Sequence, residues 1–405
     1  MPPISKEYIS TPLLKMDMWF RQAEYKGFDP YDIKAHKYVI GVANRRQNSM
    51  FGKIYLELLY EVFLMFPVLS RKLFRIKKAI NPKAMGLLAA AYLNLSRITG
   101  ENKYEDKSKE YLSWLEKNAV QKNDGLGWGY PFNWQSTRFI PANSPNGIVT
   151  TAVADAFWQY YKFTGDKHYL SVCEKIAKFL SELPKDEIDS ERVCFSYTTL
   201  FINHVHNLNL FVAEFLLKVG LETSNRHYQA LARKAIKYTV EEQKADGSFD
   251  YNGPPENPQN FIDNYHTGFV LRMLHSIWLQ ESNDQVYKAL EKGYDFYLAN
   301  FFKDNTIPKF KPDSLYRVDI HSCAESILCI CTIAPTFNNK GIDIADNVFF
   351  WTVKHLWNRK GYFYHGIFRS RIFGIRFKSR IAYIRWSQAW MFSAIVKLSS
   401  VKYAG

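Results

Sequence analysis

The stretch Thr99-Gly100-Glu101-Asn102-Lys103-Tyr104 is the first copy of a short signature that recurs three times along the chain. The later copies are Thr164-Gly165-Asp166 with Tyr169, Thr223-Ser224-Asn225 with Tyr228, and Ser282-Asn283-Asp284 with Tyr287. The tyrosines of successive copies are 65, 59 and 59 residues apart. A nearly constant period of this length is typical of stacked supersecondary units.

Each copy separates two segments with helical periodicity. The segments before the signature are largely apolar and span Pro82–Ile98, Gly147–Phe163, Val205–Val219 and His266–Leu279. The segments after it are amphipathic and span Lys103–Asn118, Lys167–Ser181, His227–Gln243 and Asp284–Asn300. Their apolar residues recur at three- and four-residue steps, which marks one face of a helix. Glycine and small polar residues end the first helix and cap the second, so each unit is predicted to be a helical hairpin.

A fifth hairpin has a degraded signature, and a sixth is split between the two ends of the chain. Segments His321–Ile333 and Asp343–Trp357 form the fifth, and the apolar segment Ala382–Leu398 has no helix after it. We expect the unmatched amphipathic segment Phe51–Phe66 to close against it. Six hairpins with apolar inner and amphipathic outer helices make an all-α (α/α)6 toroid. The predicted domains are an N-terminal extension, residues 1–50, packing on a single toroid domain, residues 51–405.

The return connections between hairpins are long and rich in glycine, proline and aromatic residues. They span Lys122–Pro145, Asp189–His204, Lys244–Asp263, Lys303–Arg317 and Lys360–Ile381. Loops of this length are usually functional or disordered, and these are too aromatic for disorder. All five follow an outer helix and therefore emerge on one face of the ring, where we place the functional site.

The composition excludes a disordered chain, because 16% of the 405 residues are aromatic. The five cysteines include no Cys-x-x-Cys pair, which favours buried thiols in a reducing compartment over a metal site or disulfides. The first 25 residues do not have the pattern of a secretory signal. We therefore expect a cytoplasmic protein.

Basic residues account for the net charge of +14 and cluster in Ser70–Ala79 and Phe368–Arg385, interleaved with phenylalanine and isoleucine. Such clusters are either a solvated face or a surface for an anionic partner. The candidate partners are anionic lipid, which would place the protein at the inner membrane, and an acidic glycan. Nucleic acid ranks last because the chain has no recognisable nucleic-acid module.

Five polar residues are predicted to be catalytic, because they stand where the return connections lead into the inner helices. They are Asp263, His266, Glu325, His321 and His206. In a ring the N-termini of the inner helices converge, so these side chains would meet. Structural alternatives remain open: a helix N-cap for the aspartate, core packing for the histidines and a local hydrogen bond for the glutamate. The scattered histidines make no zinc pattern, so we predict no metal and no cofactor.

A second set is predicted to bind the substrate: Asp29, Asp32, Trp128, Trp134, Asn207, Tyr265, Arg385 and Trp386. The two aspartates precede the first helix and are expected to fold over the same face. The tryptophans suit the flat C–H faces of sugar rings, with a place in the core as the alternative. Arg385 suits a bidentate clamp on a carboxylate.

The predicted toroid with aromatic return loops resembles the six-hairpin glycosidase-like superfamily. The chain also resembles proteins of bacterial surface-polysaccharide gene clusters, in the stretches Gly-Phe-Asp-Pro-Tyr-Asp (27–32), Gly-Trp-Gly-Tyr-Pro-Phe-Asn-Trp (127–134), Val-His-Asn-Leu-Asn (205–209), Ile-Asp-Asn-Tyr-His-Thr-Gly-Phe (262–269) and Ile-Arg-Trp-Ser-Gln-Ala-Trp-Met-Phe (384–392). The resemblance implies a role in exopolysaccharide or O-antigen metabolism and a poly- or oligosaccharide partner.

Three functions compete at this level. Glycoside hydrolysis is the first expectation and needs two carboxylates flanking the scissile bond, with Asp263 or Glu325 favoured as the acid. Elimination or C5 epimerisation of a uronate is the second and needs a base, an acid and a group that neutralises the carboxylate. A glycan-binding or assembly factor without catalysis is the third. The oligomeric state is left open.

Overall fold

The computed structural model describes residues 6–46, 49–135, 138–255 and 260–403. Parts of two predicted return connections, residues 136–137 and 256–259, lie outside these ranges. The helices of the described residues are α1 (Lys6–Gln22), α2 (Lys37–Arg46), α3 (Met50–Met65), α4 (Pro67–Leu73), α5 (Pro82–Thr99), α6 (Asn102–Lys117), α7 (Gly147–Thr164), α8 (Lys167–Ser181), α9 (His206–Glu222), α10 (Arg226–Glu241), α11 (Asn264–Gln280), α12 (Asp284–Asn300), α13 (Ile320–Ile333), α14 (Ile342–Leu356) and α15 (Trp390–Tyr403).

Short antiparallel strands are found in the connections. Within the described parts of the chain, six pairs join Lys26–Gly27 to Ala79–Ile80, Val120–Lys122 to Gly125–Gly127, Trp134–Gln135 to Phe139–Ile140, Lys185–Glu187 to Val193–Phe195, Phe302–Lys303 to Ile307–Pro308, and Trp357–Asn358 to Tyr362–Phe363. One three-stranded sheet is ordered Val318–Asp319, Gly366–Arg369, Arg376–Ser379. A π-helical turn, Ile384–Ala389, leads into α15.

The inner helices form a closed ring, which confirms the predicted (α/α)6 toroid. Helices α5, α7, α9, α11, α13 and α15 each contact the next, and α15 contacts α5. Helices α6, α8, α10, α12 and α14 each pack outside the inner helix that precedes them. The inner helices are surrounded by other helices, and this explains why their segments of the sequence are largely apolar.

The sixth outer position belongs to α1, which packs along α15. Its buried face consists of Ile9, Leu13, Met16 and Phe20, and the Phe20 ring meets that of Phe392 edge-on at 5.6 Å. The expectation that Phe51–Phe66 closes the ring is therefore wrong. Helix α3, which covers that segment, packs instead on α2, α4 and the strand Arg376–Ser379. The domain boundary after residue 50 stays a prediction.

The repeated signature is a helix stop followed by a helix start. Gly100 and Gly165 end α5 and α7 in the left-handed conformation, with φ of 71° at both residues, which glycine adopts without steric cost. The threonine before each glycine donates to a carbonyl one turn back. The tyrosine of the signature then lies in the first turn of the outer helix, where Tyr104 stacks on Tyr92 of the inner helix. The signature therefore encodes the hairpin turn and its first tertiary contact.

Helix α13 continues into the short helix Ala334–Phe337, and together they form the one described helix that is long and apolar enough to span a bilayer, over Ile320–Phe337. Of that window, 78% is buried inside the protein. Because α13 is an inner helix of the ring, the core accounts for its apolar character.

Candidate active site

Seven aromatic side chains gather where the inner helices begin, and we call them the aromatic cluster: Tyr31, Tyr130, Trp134, Tyr197, Tyr251, Tyr265 and Trp386. Trp134 lies within 5.9 Å of the Tyr31 ring and 5.4 Å of the Tyr197 ring, between ring centroids. Tyr265 lies 5.5 Å from Trp386. The members come from the segment before α2, from three return connections, from α11 and from the turn before α15. The predicted convergence of these loops on one face is therefore present.

Asp263 and His266 form a paired unit at the start of α11. The Asp263 carboxylate accepts the backbone N–H of His266 over 2.9 Å and its ring Nδ1 over 2.7 Å. The Asp263 side chain is fully buried, while the His266 side chain is 21% exposed. We assign the proton to Nδ1 because a carboxylate faces that nitrogen. Nε2 is then the unprotonated nitrogen, and the imidazole lies between Tyr251 and Tyr265, each 4.5 Å away between ring centroids.

Arg317 supplies a cation beside this unit. It is not among the predicted site residues. Its guanidinium lies 3.7 Å from the centroid of the Phe310 ring, and Phe310 lies 5.6 Å from Tyr265. None of the described residues accepts a hydrogen bond from its Nε. Its position, three residues before α13, is equivalent to the loop ends that supplied the predicted site residues and could have revealed it.

Lys34 adds a second cation next to the cluster. Its ammonium lies 5.7 Å from the Tyr31 ring and 4.9 Å from the Tyr60 ring. Burial, together with the positive charges of Arg317 and Arg71, lowers the pKa of Lys34 to about 8. Lys34 lies two residues after Asp32, which is a predicted substrate-binding residue. The sequence pattern there does not indicate that the lysine side chain faces the cluster.

Asp29 and Arg385 are both in place but hold each other. Arg385 donates from Nε to Asp29 Oδ2 over 2.7 Å and from Nη2 to Oδ1 over 2.8 Å, and both side chains are buried. The guanidinium also lies 4.9 Å from the Tyr130 ring and 5.2 Å from the Trp386 ring. Arg385 therefore does not act as the predicted clamp on a substrate carboxylate in this structure. Its guanidinium packs against two rings of the aromatic cluster instead.

Asp32 has a comparable structural role. Arg71 contacts its carboxylate at 2.7 Å and donates to the backbone oxygen of Asp29 over 2.8 Å. Burial raises the pKa of Asp32, and the neighbouring guanidinium opposes that rise. Together the two aspartates and the two arginines fix the segment that carries Tyr31.

His321 lies under the cluster. Its ring stacks on Trp386 at 4.3 Å between centroids and contacts the Trp386 carbonyl oxygen through Nδ1 at 3.1 Å. Burial lowers the pKa of His321 well below its ordinary value. The indole N–H of Trp386 donates to Asp319 over 2.9 Å. His321 and Trp386 are therefore brought to the site, with the histidine neutral and stacked.

Glu325 lies deeper than predicted and is fully buried. Its carboxylate accepts from Arg272 over 2.6 and 3.0 Å. Burial raises the pKa of Glu325 to about 7, although Arg272 opposes the rise. Gly268 packs directly on this carboxylate, where an added Cβ would lie 2.6 Å from its Cγ. The predicted catalytic glutamate is therefore an internal ion pair between α11 and α13.

His206 and Trp128 belong to the core rather than to an exposed site surface. His206 stacks on Tyr238 at 5.5 Å and contacts Thr239, and burial lowers its pKa to about 3. Trp128 is buried, and its indole N–H donates to the Leu115 carbonyl over 2.9 Å. The predicted stacking platform at Trp128 is therefore contradicted, whereas Trp134 does join the cluster.

Asn207 is buried beside the Asp263–His266 unit. It lines a cavity of about 10 Å³ together with His206, Tyr251, Asp263 and His266. Its Oδ1 has no hydrogen-bond partner among the described residues. A cavity of this size holds about one water molecule.

Two larger cavities are also present among the described residues. One, of about 560 Å³, is lined by Asp29, Asp32, His36, Lys37, Phe74, Arg75, Lys77, Asn81, Pro131 and Phe132. The other, of about 600 Å³, lies between the inner helices, and its lining includes Lys83, Asp155, Glu214, Lys218, Arg272 and Trp390. The first borders the face that carries the aromatic cluster.

Solved structures share this architecture at low sequence identity. A cellobiose 2-epimerase from Bacillus thermoamylovorans superposes with a TM-score of 0.61 over 80% of this chain and 87% of that chain, at 12% identity. An α-mannanase of glycoside hydrolase family 76 from Bacteroides thetaiotaomicron gives 0.61 over 79% and 86%, at 13% identity. A family 88 glycosyl hydrolase from Bacteroides vulgatus gives 0.57 over 80% and 93%, at 9% identity.

The chain has the six-hairpin glycosidase-like fold. No family description and no curated protein matches the sequence. An inactive variant of a fold neighbour, the α-1,6-mannanase of a Salegentibacter species, was solved in complex with α-1,6-mannotriose. At identities of 9–13% the likeness establishes the fold and leaves the activity to be argued from the site.

Proposed function

We propose that the protein is a carbohydrate-active enzyme of bacterial surface-polysaccharide metabolism that moves a proton at a uronate residue of an acidic glycan. The observation that carries the proposal is the Asp263–His266 unit, in which a buried carboxylate orients a partly exposed imidazole among stacked aromatic rings. An orienting carboxylate behind a histidine is a recurrent arrangement in general base catalysis. The fold neighbours include both hydrolases and an epimerase and therefore do not decide between these reactions.

The state of the carboxylates favours proton transfer over hydrolysis. A glycosidase needs two carboxyl groups that flank the bond and reach the substrate. Asp29 is held by Arg385, Asp32 by Arg71 and Glu325 by Arg272. Asp263 and Asp319 each cap a helix and accept a second hydrogen bond, from His266 and Trp386. These five carboxyl groups are thus committed to the scaffold, which moves uronate chemistry ahead of hydrolysis.

The proposed reaction begins at C5 of the uronate. The C5–H bond breaks, the proton passes to Nε2 of His266, and the electron pair moves into the carboxylate, where Arg317 neutralises the developing charge. In elimination the electron pair then returns to form the C4=C5 double bond as the C4–O bond breaks, and the leaving oxygen takes a proton from Tyr265. Burial raises the pKa of Tyr265 well above its ordinary value, so it holds that proton at neutral pH. In epimerisation the C4–O bond stays intact, the electron pair returns to C5, and Tyr265 gives its proton to the other face of C5.

An acidic substrate fits the charges around the cluster. Arg317 and Lys34 lie beside the rings that would stack on sugars, at 3.7 Å from Phe310 and 5.7 Å from Tyr31. The aromatic faces would supply the apolar contacts to the sugar C–H surface. The proposed membrane contact and location depend on a different part of the molecule and not on this chemistry.

The test uses acidic polysaccharides from bacterial surfaces, including that of the source organism, in heavy water. We expect either deuterium at C5, which marks epimerisation, or the ultraviolet absorbance of a 4,5-unsaturated uronide, which has no hydrogen at C5 and marks elimination. His266→Ala should abolish the signal, while His227→Ala, an exposed histidine of α10, should leave it unchanged. New reducing ends with neither deuterium at C5 nor an unsaturated uronide would overturn the proposal in favour of hydrolysis. Glycan binding without any chemistry would favour the assembly factor.

A further inference from the structure

Helices α3 and α4 carry their large apolar side chains on the outside. Together with the turn of the strand hairpin Gly366–Ser379 they form what we call the apolar patch: Met50, Phe51, Ile54, Leu58, Val62, Phe66, Val68, Leu69, Leu73, Ile372, Phe373 and Ile375. All of these are exposed, and Phe51 reaches 81%. The side of α3 that faces the protein carries Phe63, which packs in a small buried cluster with Ile33 and Val39.

The helices and the hairpin turn belong to one surface, because side chains tie them together. Glu61 of α3 accepts hydrogen bonds from the Ser370 hydroxyl and from the backbone N–H of Arg371. The Arg371 guanidinium also lies 3.8 Å from Glu57. The apolar residues of the turn therefore continue the apolar side of α3 instead of forming a separate spot.

Most of the net positive charge of the chain lies in the segments that form this patch. Residues 49–80 and 368–380 hold eleven lysines and arginines against two acidic residues, which is nine of the fourteen net charges of the chain. The exposed cations are Lys53, Lys72, Arg75, Lys77, Lys78, Arg369, Arg371, Arg376 and Arg380. Apolar side chains ringed by lysine and arginine are the pattern of a surface that lies in the interface of an anionic bilayer.

We propose that the apolar patch docks the protein on a bilayer containing anionic phospholipid. The apolar side chains would enter the boundary between headgroups and acyl chains, and the cations would meet the negative headgroups. Charge complementarity favours lipid over a second copy of this chain, because two such surfaces would bring one set of exposed lysines and arginines against another. Exposed apolar side chains gathered on one surface are also a mark of an interaction site.

Docking in this way would place the candidate site close to the membrane. The cavity of about 560 Å³ shares Phe74, Arg75 and Lys77 with the basic segment that follows α4, and Asp29 and Phe132 with the cluster side. A glycan carried on a membrane lipid could therefore reach the aromatic cluster without leaving the bilayer surface. The docking itself does not rest on the proposed reaction.

The test is co-sedimentation of the full chain with lipid vesicles. Vesicles of phosphatidylglycerol and phosphatidylcholine should bind the protein at least about tenfold more strongly than phosphatidylcholine alone, and high salt should weaken the binding. The variant Phe51→Ser/Leu73→Ser/Phe373→Ser should lose at least about tenfold of the affinity. Lys53→Gln/Lys72→Gln should weaken binding to the anionic vesicles alone.

A matched control changes three exposed apolar residues at the C-terminal ends of inner helices, Phe163→Ser/Leu221→Ser/Leu279→Ser. It should bind vesicles as the unchanged protein does, and thermal unfolding should show that both triple variants are folded. Equal binding by the patch variant, or no binding to either vesicle, would overturn the proposal. A dimer in solution that the patch variant abolishes, without vesicle binding, would assign the patch to a second copy.

Discussion

The ring Nδ1 of His266 donates to Oδ2 of Asp263 over 2.7 Å, and the backbone N–H of the same histidine donates to Oδ1 over 2.9 Å. One buried carboxylate thus fixes both the start of α11 and the tautomer of the histidine in its first turn. The two roles can be separated, because a helix cap affects stability while the tautomer affects proton transfer.

Asp263→Asn keeps an oxygen that can accept the backbone N–H but removes the charge that orients the imidazole. We expect kcat for proton removal at C5 to fall by about 10²–10⁴-fold with little change in Tm. Asp263→Ala should show the same loss of rate and, in addition, a loss of about 1 kcal/mol in the free energy of unfolding. Full activity in the Asn variant would show that the carboxylate is only a cap.

Arg317 is expected to hold the substrate carboxylate, since its guanidinium stacks on Phe310 beside Tyr265. Arg317→Met should lower kcat/KM on an acidic glycan by about 10²-fold, because the loss of a charge-assisted contact costs about 1.5–3 kcal/mol. Arg317→Lys should recover part of it, since the charge remains and the planar fork is lost. The control is Arg226→Met at an exposed position of α10. An unaffected Arg317→Met variant would leave the carboxylate without its proposed partner.

Lys34 gives the reaction a pH dependence. Its pKa of about 8 means that the side chain is charged below pH 8 and neutral above it. Binding of an acidic glycan should therefore weaken as the pH rises through 8, seen as a rise in KM. Lys34→Met should raise KM at neutral pH and remove this alkaline change. A KM profile that is the same in both proteins would exclude Lys34 from the binding site.

The two tryptophans of one return connection should behave in opposite ways. Trp128→Phe removes the hydrogen bond to the Leu115 carbonyl and should cost about 1–3 kcal/mol of stability, with glycan affinity unchanged. Trp134→Ala should weaken glycan binding about tenfold and leave Tm nearly unchanged, because its ring lies in the partly exposed aromatic cluster. Calorimetric titration and thermal unfolding of both variants measure the contrast, and a reversed outcome would exchange their roles.

The place of α1 in the ring can be checked with two phenylalanines. Phe20 is fully buried against Phe392, so Phe20→Ala should lower the free energy of unfolding by about 3–5 kcal/mol. Phe51 of α3 is exposed, and Phe51→Ala should change it by less than about 0.5 kcal/mol. Chemical denaturation measures both values. Comparable losses in the two variants would contradict the exposed position of α3 and would support its predicted place in the ring.

The ring could be predicted from the sequence because the residues that determine each hairpin turn lie close together in the chain. A threonine that bonds one turn back, a left-handed glycine and a first-turn tyrosine each act within a few residues, and they recur at a constant period. The exchange of α1 and α3 shows the limit of this reasoning. Both segments are amphipathic, and periodicity gives the direction of an apolar face without saying whether the ring or another surface receives it.

The site was only partly predictable, because its chemistry depends on contacts between distant segments. Asp263 and His266 could be found, since they are three residues apart at a helix start. Arg385 could be placed at the site, but its pairing with Asp29, 356 positions away, determines what it does. Trp128 and Trp134 are equivalent in sequence pattern, and only packing against α6 and α7 separates them.

The most direct measurement is proton removal at C5 of a uronate glycan in heavy water, for the unchanged protein and His266→Asn. It is followed as deuterium at C5 by mass spectrometry, for epimerisation, and as the ultraviolet absorbance of a 4,5-unsaturated uronide, for elimination. We predict one of these signals from the unchanged protein and a loss of at least about 10²-fold in the variant, with the variant still binding the glycan. Equal signals from both proteins would contradict the assignment of His266 as the base. Cleavage of the glycan with neither deuterium at C5 nor an unsaturated uronide would contradict proton transfer as the reaction.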